Sequence, residues 1–252
     1  MEQFICLELL VGKENLKKVR CSRIVVIGLG AVGSYVVEAL ARFGVGNLRL
    51  VDFDLIKESN LNRHLHALTS TIGRSKAALA KERVLDINPR CNVEALEIFA
   101  AADSIDRILE GKPDLVIDAI DSLNPKAQVL SACYEKGIRV ISSMGAATRT
   151  EPFMLRTGDL YDTRNCPLAK RLRGLLKKKG VGRGIICISS EETRNMDAID
   201  TEGVVPSEDE YLRGRRRKKM GSLPTITGIF GLLVAHVALD MLCGGLRKGN
   251  RC

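Results

Sequence analysis

The sequence predicts an α/β protein with a doubly wound, Rossmann-like, mostly parallel sheet and a C-terminal extension. Three observations predict this fold class. Short runs of β-branched residues recur between positions 23 and 143, and such unbroken apolar runs are typical of strands buried on both faces. Segments with helical spacing alternate with these runs, which indicates right-handed βαβ units. A glycine-rich turn joins the first strand to the helix that follows it.

Each element is predicted from local composition. Apolar residues at helical spacing predict an amphipathic helix over 2–20. Between positions 23 and 143 the predicted strands are 23–28, 47–51, 92–96, 114–118 and 139–143, and the predicted helices are 31–43, 71–87 and 125–136. The second of these helices ends before Asn88-Pro89, because a residue that precedes proline is disfavoured in the helical region.

The last third of the chain has a different character. It contains a predicted basic helix at 165–180, a strand at 184–189, a polar stretch at 191–224 and an apolar helix at 225–242. We expect much of the polar stretch to be a mobile basic loop, because it lacks the apolar residues needed for a core. The predicted units are therefore an N-terminal helix (1–22), a main α/β domain (23–160) and a C-terminal extension of the same fold (161–252).

The apolar segment 226–242 has two interpretations. Its 17 residues are at the short limit for crossing a bilayer, and they include Thr227, His236 and Asp240. Polar groups are costly in lipid, so we expect a helix of the core or of a dimer interface and no stable membrane span. Membrane association through this helix is the alternative.

Composition disfavours several classes of protein. The eight cysteines are scattered without a CxxC pair, which disfavours a zinc ribbon and a thioredoxin-type site. Trp is absent and aromatic residues make up 4%, so stacking platforms for single-stranded nucleic acid are few. The net charge of +9 favours an anionic partner. The N-terminal segment has an early acidic residue and no long apolar run, so we expect no signal peptide and a cytoplasmic protein.

The glycine-rich turn predicts a nucleotide site in the main domain. Gly28, Gly30 and Gly33 form a GxGxxG pattern between a strand and a helix, where backbone N–H groups can approach a phosphate. Asp52 ends the second strand about 20 residues later, the position of a ribose-binding acid. These features alone are typical of an oxidoreductase that uses NAD or FAD.

The residues after Asp52 favour a triphosphate instead. Asn60, Asn62 and Arg63 supply amide and guanidinium donors, which can hold phosphate oxygens, and Lys76 can add a point charge. Asp121 lies just beyond the fourth strand, at the sheet edge where open α/β folds bind ligands. A carboxylate there could hold Mg²⁺ against the phosphates. Asp118, on the strand itself, is the alternative ligand, but its position favours a structural role.

At these residues the chain resembles the ubiquitin-activating-enzyme-like (ThiF/MoeB) superfamily. GLGAVGS, VDFD, SNLNR, GRSK and DAIDS occur in that family's order across 23–122. The resemblance implies that the main domain is an adenylation domain that binds ATP. It also implies that this domain activates a carboxylate as an acyl-adenylate. It implies these nucleotide-binding residues: Gly28, Gly30, Gly33, Asp52, Asp54, Asn60, Arg63 and Lys76. It also implies that Arg63, Lys76 and Asp121 are catalytic, Asp121 as the Mg²⁺ ligand.

Four further segments resemble the branch of tRNA threonylcarbamoyladenosine dehydratases. They are INPRC, DAIDSLNPKA, SSMGAAT with the following EP, and DLYDTRNCPLAKRLR. The branch implies ATP-dependent dehydration of threonylcarbamoyladenosine in tRNA, by adenylation of the threonyl carboxylate and ring closure. It implies a homodimer, and it leaves open a monovalent cation (K⁺ or Na⁺) and a sulfur-transfer or cysteine desulfurase partner.

The chain departs from the branch near its N-terminus. Gln3 and Cys6 stand where branch members usually have arginines, one of which reaches the neighbouring subunit's triphosphate. Cys187 matches a cysteine position of the branch, but we expect a buried strand thiol. His64 and His66 are either acid/base groups or, as we expect, packing and hydrogen-bonding residues. Residues 170–219 hold +6 of the net charge, which favours contact with the tRNA backbone.

Three other functions remain as alternatives. An adenylating activator of a small carrier protein in sulfur transfer would need a diglycine-tailed partner and usually zinc, and the absence of CxxC counts against it. A non-enzymatic nucleotide-binding scaffold is compatible with the missing N-terminal arginines. A nicotinamide oxidoreductase is disfavoured by Arg63, Lys76 and Asp121.

Overall fold

A computed structural model describes residues 2–200 and 219–246 and contains one seven-stranded sheet in the order β3-β2-β1-β4-β5-β7-β6. All neighbouring strands are parallel except β6, which is antiparallel to β7. The strands are β1 (Arg23–Ile27), β2 (Asn47–Val51), β3 (Asn92–Leu96), β4 (Leu115–Asp118), β5 (Val140–Ser143), β6 (Leu155–Asp159) and β7 (Ile186–Ser190). This is the predicted doubly wound fold, and the prediction of fold class is confirmed.

Helices cover both faces of the sheet. They are α1 (Ile5–Val11), α2 (Lys13–Cys21), α3 (Ala31–Arg42), α4 (Lys76–Ile87), α5 (Ile105–Ile108), α6 (Leu123–Glu135), α7 (Pro167–Lys178) and α8 (Pro224–Cys243). Successive residues of β1 point to opposite faces, so Ile24 and Val26 pack in one core with α3, α4 and α8. Val25 and Ile27 pack in a second core with α5, α6 and α7. The apolar runs of the sequence are therefore shared between two cores.

Three local predictions are corrected by the structure. The single N-terminal helix is broken at Gly12, whose φ of 84° lies in the left-handed region, so α1 and α2 are separate. The helix predicted from residue 71 begins at Lys76, because Ser75 caps it by accepting a hydrogen bond from the Ala78 N–H. Two elements, β6 and the four-residue α5, have no counterpart in the prediction.

The apolar C-terminal helix α8 is a core element of this structure. By length and composition it is the one helix among the described residues that could cross a membrane, yet more than half of its most apolar stretch is buried in the fold. It packs closely on α3: a Cβ added at Gly231 would lie 2.5 Å from the Val32 carbonyl oxygen. Ile229 and Leu232 remain partly exposed on its other side. These contacts support the predicted core helix.

The predicted basic loop is described only at its two ends. Ile199 and Met220 form an antiparallel bridge, and the Asp200 N–H donates to the Lys219 carbonyl at 3.0 Å. Most of the basic run Arg213–Lys219 lies outside the described residues, with Lys219 as the exception. The predicted mobility of 191–224 and the division at residues 22 and 160 remain predictions.

Candidate nucleotide site

The glycine turn lies at the carboxyl edge of the sheet, between β1 and α3. Gly28 has φ of 87°, and a Cβ there would lie 2.9 Å from the Ala119 backbone. A Cβ at Gly33 would lie 1.9 Å from the Gly28 carbonyl oxygen, so both positions require glycine for packing. A Cβ at Gly30 would meet nothing within 4 Å. The first and third glycines thus close the turn, and the second presents open backbone.

Asp52 is joined to this turn. Its Oδ2 accepts a hydrogen bond from the Leu29 N–H at 2.7 Å, and its Oδ1 accepts one from the Asp54 N–H at 2.8 Å. Burial raises the pKa of the Asp52 carboxyl, while the Lys76 ammonium and these two donors oppose that rise. The predicted ribose-binding acid therefore lies beside the glycine turn, as the nucleotide prediction requires.

Lys76 and Asp54 form an ion pair at the start of α4. Lys76 Nζ lies 2.7 Å from Asp54 Oδ2, and the Lys76 backbone N–H donates to the Asp54 carbonyl at 3.1 Å. The Lys76 side chain is largely buried, whereas the Asp54 side chain is 41% exposed. The ion pair with Asp54 thus holds the Lys76 ammonium near Asp52 without a bound ligand. Direct contact of either residue with a nucleotide remains a prediction.

Asn60 and Arg63 lie in a short segment that begins with a 3₁₀ helix, Glu58–Asn60. Asn60 Oδ1 accepts from the Lys57 N–H, which leaves the orientation of its amide fixed. Arg63 Nη1 donates to the Ser59 carbonyl at 2.7 Å and to Asn62 Oδ1 at 2.8 Å. Both bonds use one nitrogen of the guanidinium, so its other donors can still serve an anion.

The two candidate metal ligands have different environments. Asp118 is fully buried, and its Oδ2 accepts from Lys126 Nζ at 2.6 Å and from Ser142 Oγ at 2.7 Å. Asp121 is exposed, with the Ser122 hydroxyl 3.5 Å away. The buried ion pair occupies Asp118, which supports the structural role expected for it. Binding of Mg²⁺ by Asp121 stays a prediction.

Sequence reasoning missed Lys126 and the contact between His64 and the glycine turn. Lys126 is fully buried and also donates to the Ser143 carbonyl, so it joins β4 to β5. His64 Nε2 lies 2.7 Å from the Leu29 carbonyl oxygen. Neither contact has a local sequence pattern, because each joins residues that are 8 to 35 positions apart.

The remaining candidate acid/base groups and thiol are buried. Burial lowers the pKa of His64 and of His66 to about 4, so both imidazoles are neutral at pH 7. Neutral rings do not suit acid/base catalysis near pH 7: the His64 ring packs and forms hydrogen bonds, whereas the His66 ring packs without a hydrogen-bond partner. Burial raises the pKa of the Cys187 thiol to about 12, in agreement with a strand thiol inside the core. Among the described residues no cluster of three or more His, Cys, Asp or Glu side chains is arranged to hold a metal ion.

The position of the site defines a class of protein. The glycine turn follows β1 and Asp121 follows β4, and these two strands are neighbours whose chains continue to opposite sides of the sheet. In open α/β folds this switch point is where ligands bind. The chain is thus an α/β protein of the doubly wound class, with its candidate nucleotide site at the switch point of the sheet.

The chain belongs to the ThiF family, whose model matches residues 3–251. It is 37% identical to the tRNA threonylcarbamoyladenosine dehydratase of Bacillus subtilis over 96% of this chain and 95% of that protein. The crystal structure of the Escherichia coli tRNA N6-threonylcarbamoyladenosine dehydratase in complex with ATP matches with a TM-score of 0.85 and 30% identity. That match covers 96% of this chain and 94% of the other. The molybdopterin-synthase adenylyltransferase of Salmonella typhimurium is 34% identical over 56% of this chain and 54% of that protein.

Proposed function

We propose that this chain is an ATP-dependent tRNA threonylcarbamoyladenosine dehydratase. The observation that carries the proposal is the match to the Bacillus subtilis dehydratase over nearly the whole of both chains. The match to a molybdopterin-synthase adenylyltransferase covers only about half of each chain. The greater coverage of both chains therefore favours the dehydratase over the carrier-protein activator.

The proposed ATP site is the one built around the glycine turn. The open backbone at Gly30 and the N-terminus of α3 suit a phosphate, and Asp52 suits the ribose hydroxyls. Arg63 and Lys76 supply positive charge for the triphosphate, and Asn60 supplies an amide. These groups favour attack at the α-phosphorus over hydride transfer, because they stabilise the charge that builds up on the phosphates.

Mg²⁺ fits the proposed site through Asp121. The carboxylate is exposed at the carboxyl edge of β4, and carboxylate oxygens are the ligands that Mg²⁺ prefers in proteins. When bound, the ion would neutralise phosphate charge and favour departure of pyrophosphate. A monovalent cation is included in the proposal without assigned ligands, and the dependence of turnover on K⁺ or Na⁺ tests it.

The proposed reaction has two steps. An oxygen of the threonyl carboxylate attacks the α-phosphorus of ATP, a P–O bond forms, and pyrophosphate leaves. A nitrogen or oxygen of the carbamoyl group then attacks the activated carbonyl carbon, the C–O bond to AMP breaks, and the carbamoyl group loses a proton. The nucleoside has lost one water in total. Ring closure within one molecule gains from proximity and needs no acyl-accepting cysteine.

The proposed tRNA contact includes helix α7. Its buried face consists of Ala169, Leu172 and Leu176, and the opposite face exposes cations. The exposed cations are Lys170, Arg171, Lys177 and Lys178. A row of cations without acidic residues between them suits a phosphodiester backbone, because neutralised phosphates release counterions.

Two further parts of the proposal concern assembly and location. The N-terminal helix α1 exposes Ile5, Leu9 and Leu10, an apolar surface that suits the partner subunit of a homodimer. Sedimentation of the purified protein tests the homodimer, and co-purification tests a cysteine desulfurase or other sulfur-transfer partner. We place the protein in the cytoplasm, where its tRNA substrate would be found. Fractionation of cells tests that location and the alternative of membrane association through α8.

The decisive experiment combines the purified protein with ATP, Mg²⁺ and tRNA that carries threonylcarbamoyladenosine. We expect AMP, pyrophosphate and a nucleoside that is lighter by one water, measured by mass spectrometry of the digested tRNA. Cys187→Ala should still turn over, because no thiol takes part. An unmodified tRNA together with adenylation of a diglycine-tailed carrier protein would replace this proposal with the carrier-protein activator.

A further inference from the structure

Leu29, between the first two glycines of the turn, has both of its backbone polar groups bonded to side chains from other segments. Its N–H donates to Asp52 Oδ2, and its carbonyl oxygen lies 2.7 Å from His64 Nε2. His64 directly follows Arg63 in the sequence. One imidazole therefore connects the glycine turn to the segment that carries the proposed triphosphate-binding residues.

The partners of the His64 ring define its tautomer. The Leu29 carbonyl can only accept a hydrogen bond, so Nε2 must carry the proton. The His66 backbone N–H can only donate, and it lies 3.0 Å from Nδ1, so Nδ1 must be unprotonated. Burial holds the pKa of His64 at about 4, which agrees with a neutral ring at pH 7. The ring is thus held in one orientation with one fixed donor.

That donor sets the direction of the next backbone N–H. In a trans peptide the carbonyl and the following N–H point in opposite directions, and the described chain contains no cis peptide. Because His64 holds the Leu29 carbonyl on one side, the Gly30 N–H must point to the other. Within the described residues no group accepts a hydrogen bond from the Gly30 N–H, and the space around Gly30 is open.

We infer that His64 is a positioning residue of the nucleotide site, which aims the Gly30 N–H at a phosphate oxygen through the Leu29 peptide. The inference rests on the proposed function only for the identity of the ligand, ATP. His66 supplies the matched control. It is equally buried and follows two residues later, but neither nitrogen of its ring has a hydrogen-bond partner.

Two amide substitutions separate the two bonds of the His64 ring. In His64→Gln the side-chain nitrogen can reach the position of Nε2 and keep the bond to Leu29. In His64→Asn the shorter amide can replace Nδ1 and accept from the His66 N–H, but it cannot reach Leu29. Both variants are polar and neutral, so they differ mainly in which bond survives. His64→Phe, which keeps a ring without a donor, gives a second test if the Asn variant does not fold.

The measurement is calorimetric binding of ATP and, separately, of adenosine to the full-length protein. We expect His64→Asn and His64→Phe to weaken ATP binding roughly tenfold, the effect of one misaligned hydrogen bond to a charged group. Adenosine binding should not change, because Asp52 is untouched. His64→Gln and His66→Leu should bind ATP within about twofold of the wild type, since the bond to Leu29 survives in both.

Three results would overturn the inference. They are wild-type ATP affinity in both His64→Asn and His64→Phe, equal losses of ATP and adenosine affinity, and equal losses of ATP affinity in His64→Gln and His64→Asn. The second would indicate a general structural defect, and the third would show that the bond to Leu29 is not the determinant. Failure of the wild type to bind ATP would instead refute the proposed function.

Discussion

Asp118 and Asp121 lie three positions apart and differ completely in what surrounds them. Asp118 is buried against Lys126 and Ser142, so its charge is already balanced inside the fold. Asp121 is exposed at the switch point of the sheet, where a cation can approach it. In the sequence the two acids differ only in their position relative to the end of β4. The structure adds that Lys126 is the partner of Asp118.

Arg63→Ala and Asp121→Ala should each lower ATP-dependent turnover roughly tenfold or more, because each removes charge stabilisation at the phosphates. The measurement is AMP release with modified tRNA, alongside a thermal melt that should match the wild type. Lys17→Ala, which removes an exposed cation from α2, outside the proposed ATP and tRNA surfaces, is the control for a loss of positive charge elsewhere. Near-normal turnover in both site variants would refute the roles given to these residues.

His66→Leu should raise the free energy of unfolding at pH 7 by about 1 kcal/mol, because the buried ring of His66 has no hydrogen-bond partner. The effect should grow as the pH falls. The folded-state pKa of about 4 lies below the ordinary value of 6.5, so the unfolded chain takes up a proton first. Wild-type stability should therefore decline from pH 6.5 towards 4.

Urea titrations of wild type and His66→Leu at several pH values would measure this difference. The variant should decline less than the wild type over the same pH range, because one of the two buried imidazoles is gone. Parallel curves would show that the His66 ring is solvated or paired in solution.

At the scale of whole elements, the strands predicted from the sequence are those with apolar residues buried in the core. The bounds of β2 and of the edge strand β3 agree with the prediction, because both strands alternate buried apolar residues with polar ones. The edge strand β6 has the sequence LRTGD and is mostly exposed, so no apolar pattern marks it. The glycine turn and Asp52 were likewise predicted from local spacing. Lys126 and His64 were not, since their contacts form only when distant segments meet.

Gly231→Ala tests the close packing of α8 on α3. The added Cβ would lie 2.5 Å from the backbone oxygen of Val32, which cannot move without displacing the helix. We expect a loss of about 1–3 kcal/mol in the free energy of unfolding. Gly174→Ala in α7 is the matched control: no atom lies within 4 Å of its added Cβ, so we expect a gain of about 0.5–1 kcal/mol. Equal effects would show that α8 does not pack as described.

At the scale of the whole molecule, the proposed nucleotide site and most of the net positive charge belong to different segments of the sequence. The proposed nucleotide site follows β1 and β4, whereas the positive charge is concentrated in residues 170–219, which hold +6 of the net +9. The described part of this segment presents the cations of α7. Binding of tRNA and binding of ATP should therefore respond to different substitutions.

Neutralising Arg215, Arg216, Arg217, Lys218 and Lys219 together should weaken tRNA binding and flatten its dependence on salt, because fewer counterions are released. Affinity for ATP should not change. Filter binding at several salt concentrations measures the affinity for tRNA and its salt dependence, and calorimetry measures the affinity for ATP. A wild-type salt slope would restrict the tRNA surface to other cations such as those of α7. If α7 variants also bound tRNA normally, the proposed contact would be wrong.

The bridge between Ile199 and Met220 has a consequence for how this molecule can be altered. Asp200 and Lys219 are hydrogen-bonded, so the two described ends of the chain on either side of residues 201–218 are held together. The entropic cost of joining two such ends grows slowly with the length of the chain between them, by about 0.6 kcal/mol for each doubling. A glycine-serine insertion that doubles this length should leave the melting transition almost unmoved. An insertion between Asp200 and Lys219 therefore tests whether the described fold depends on the length of chain that joins these two ends.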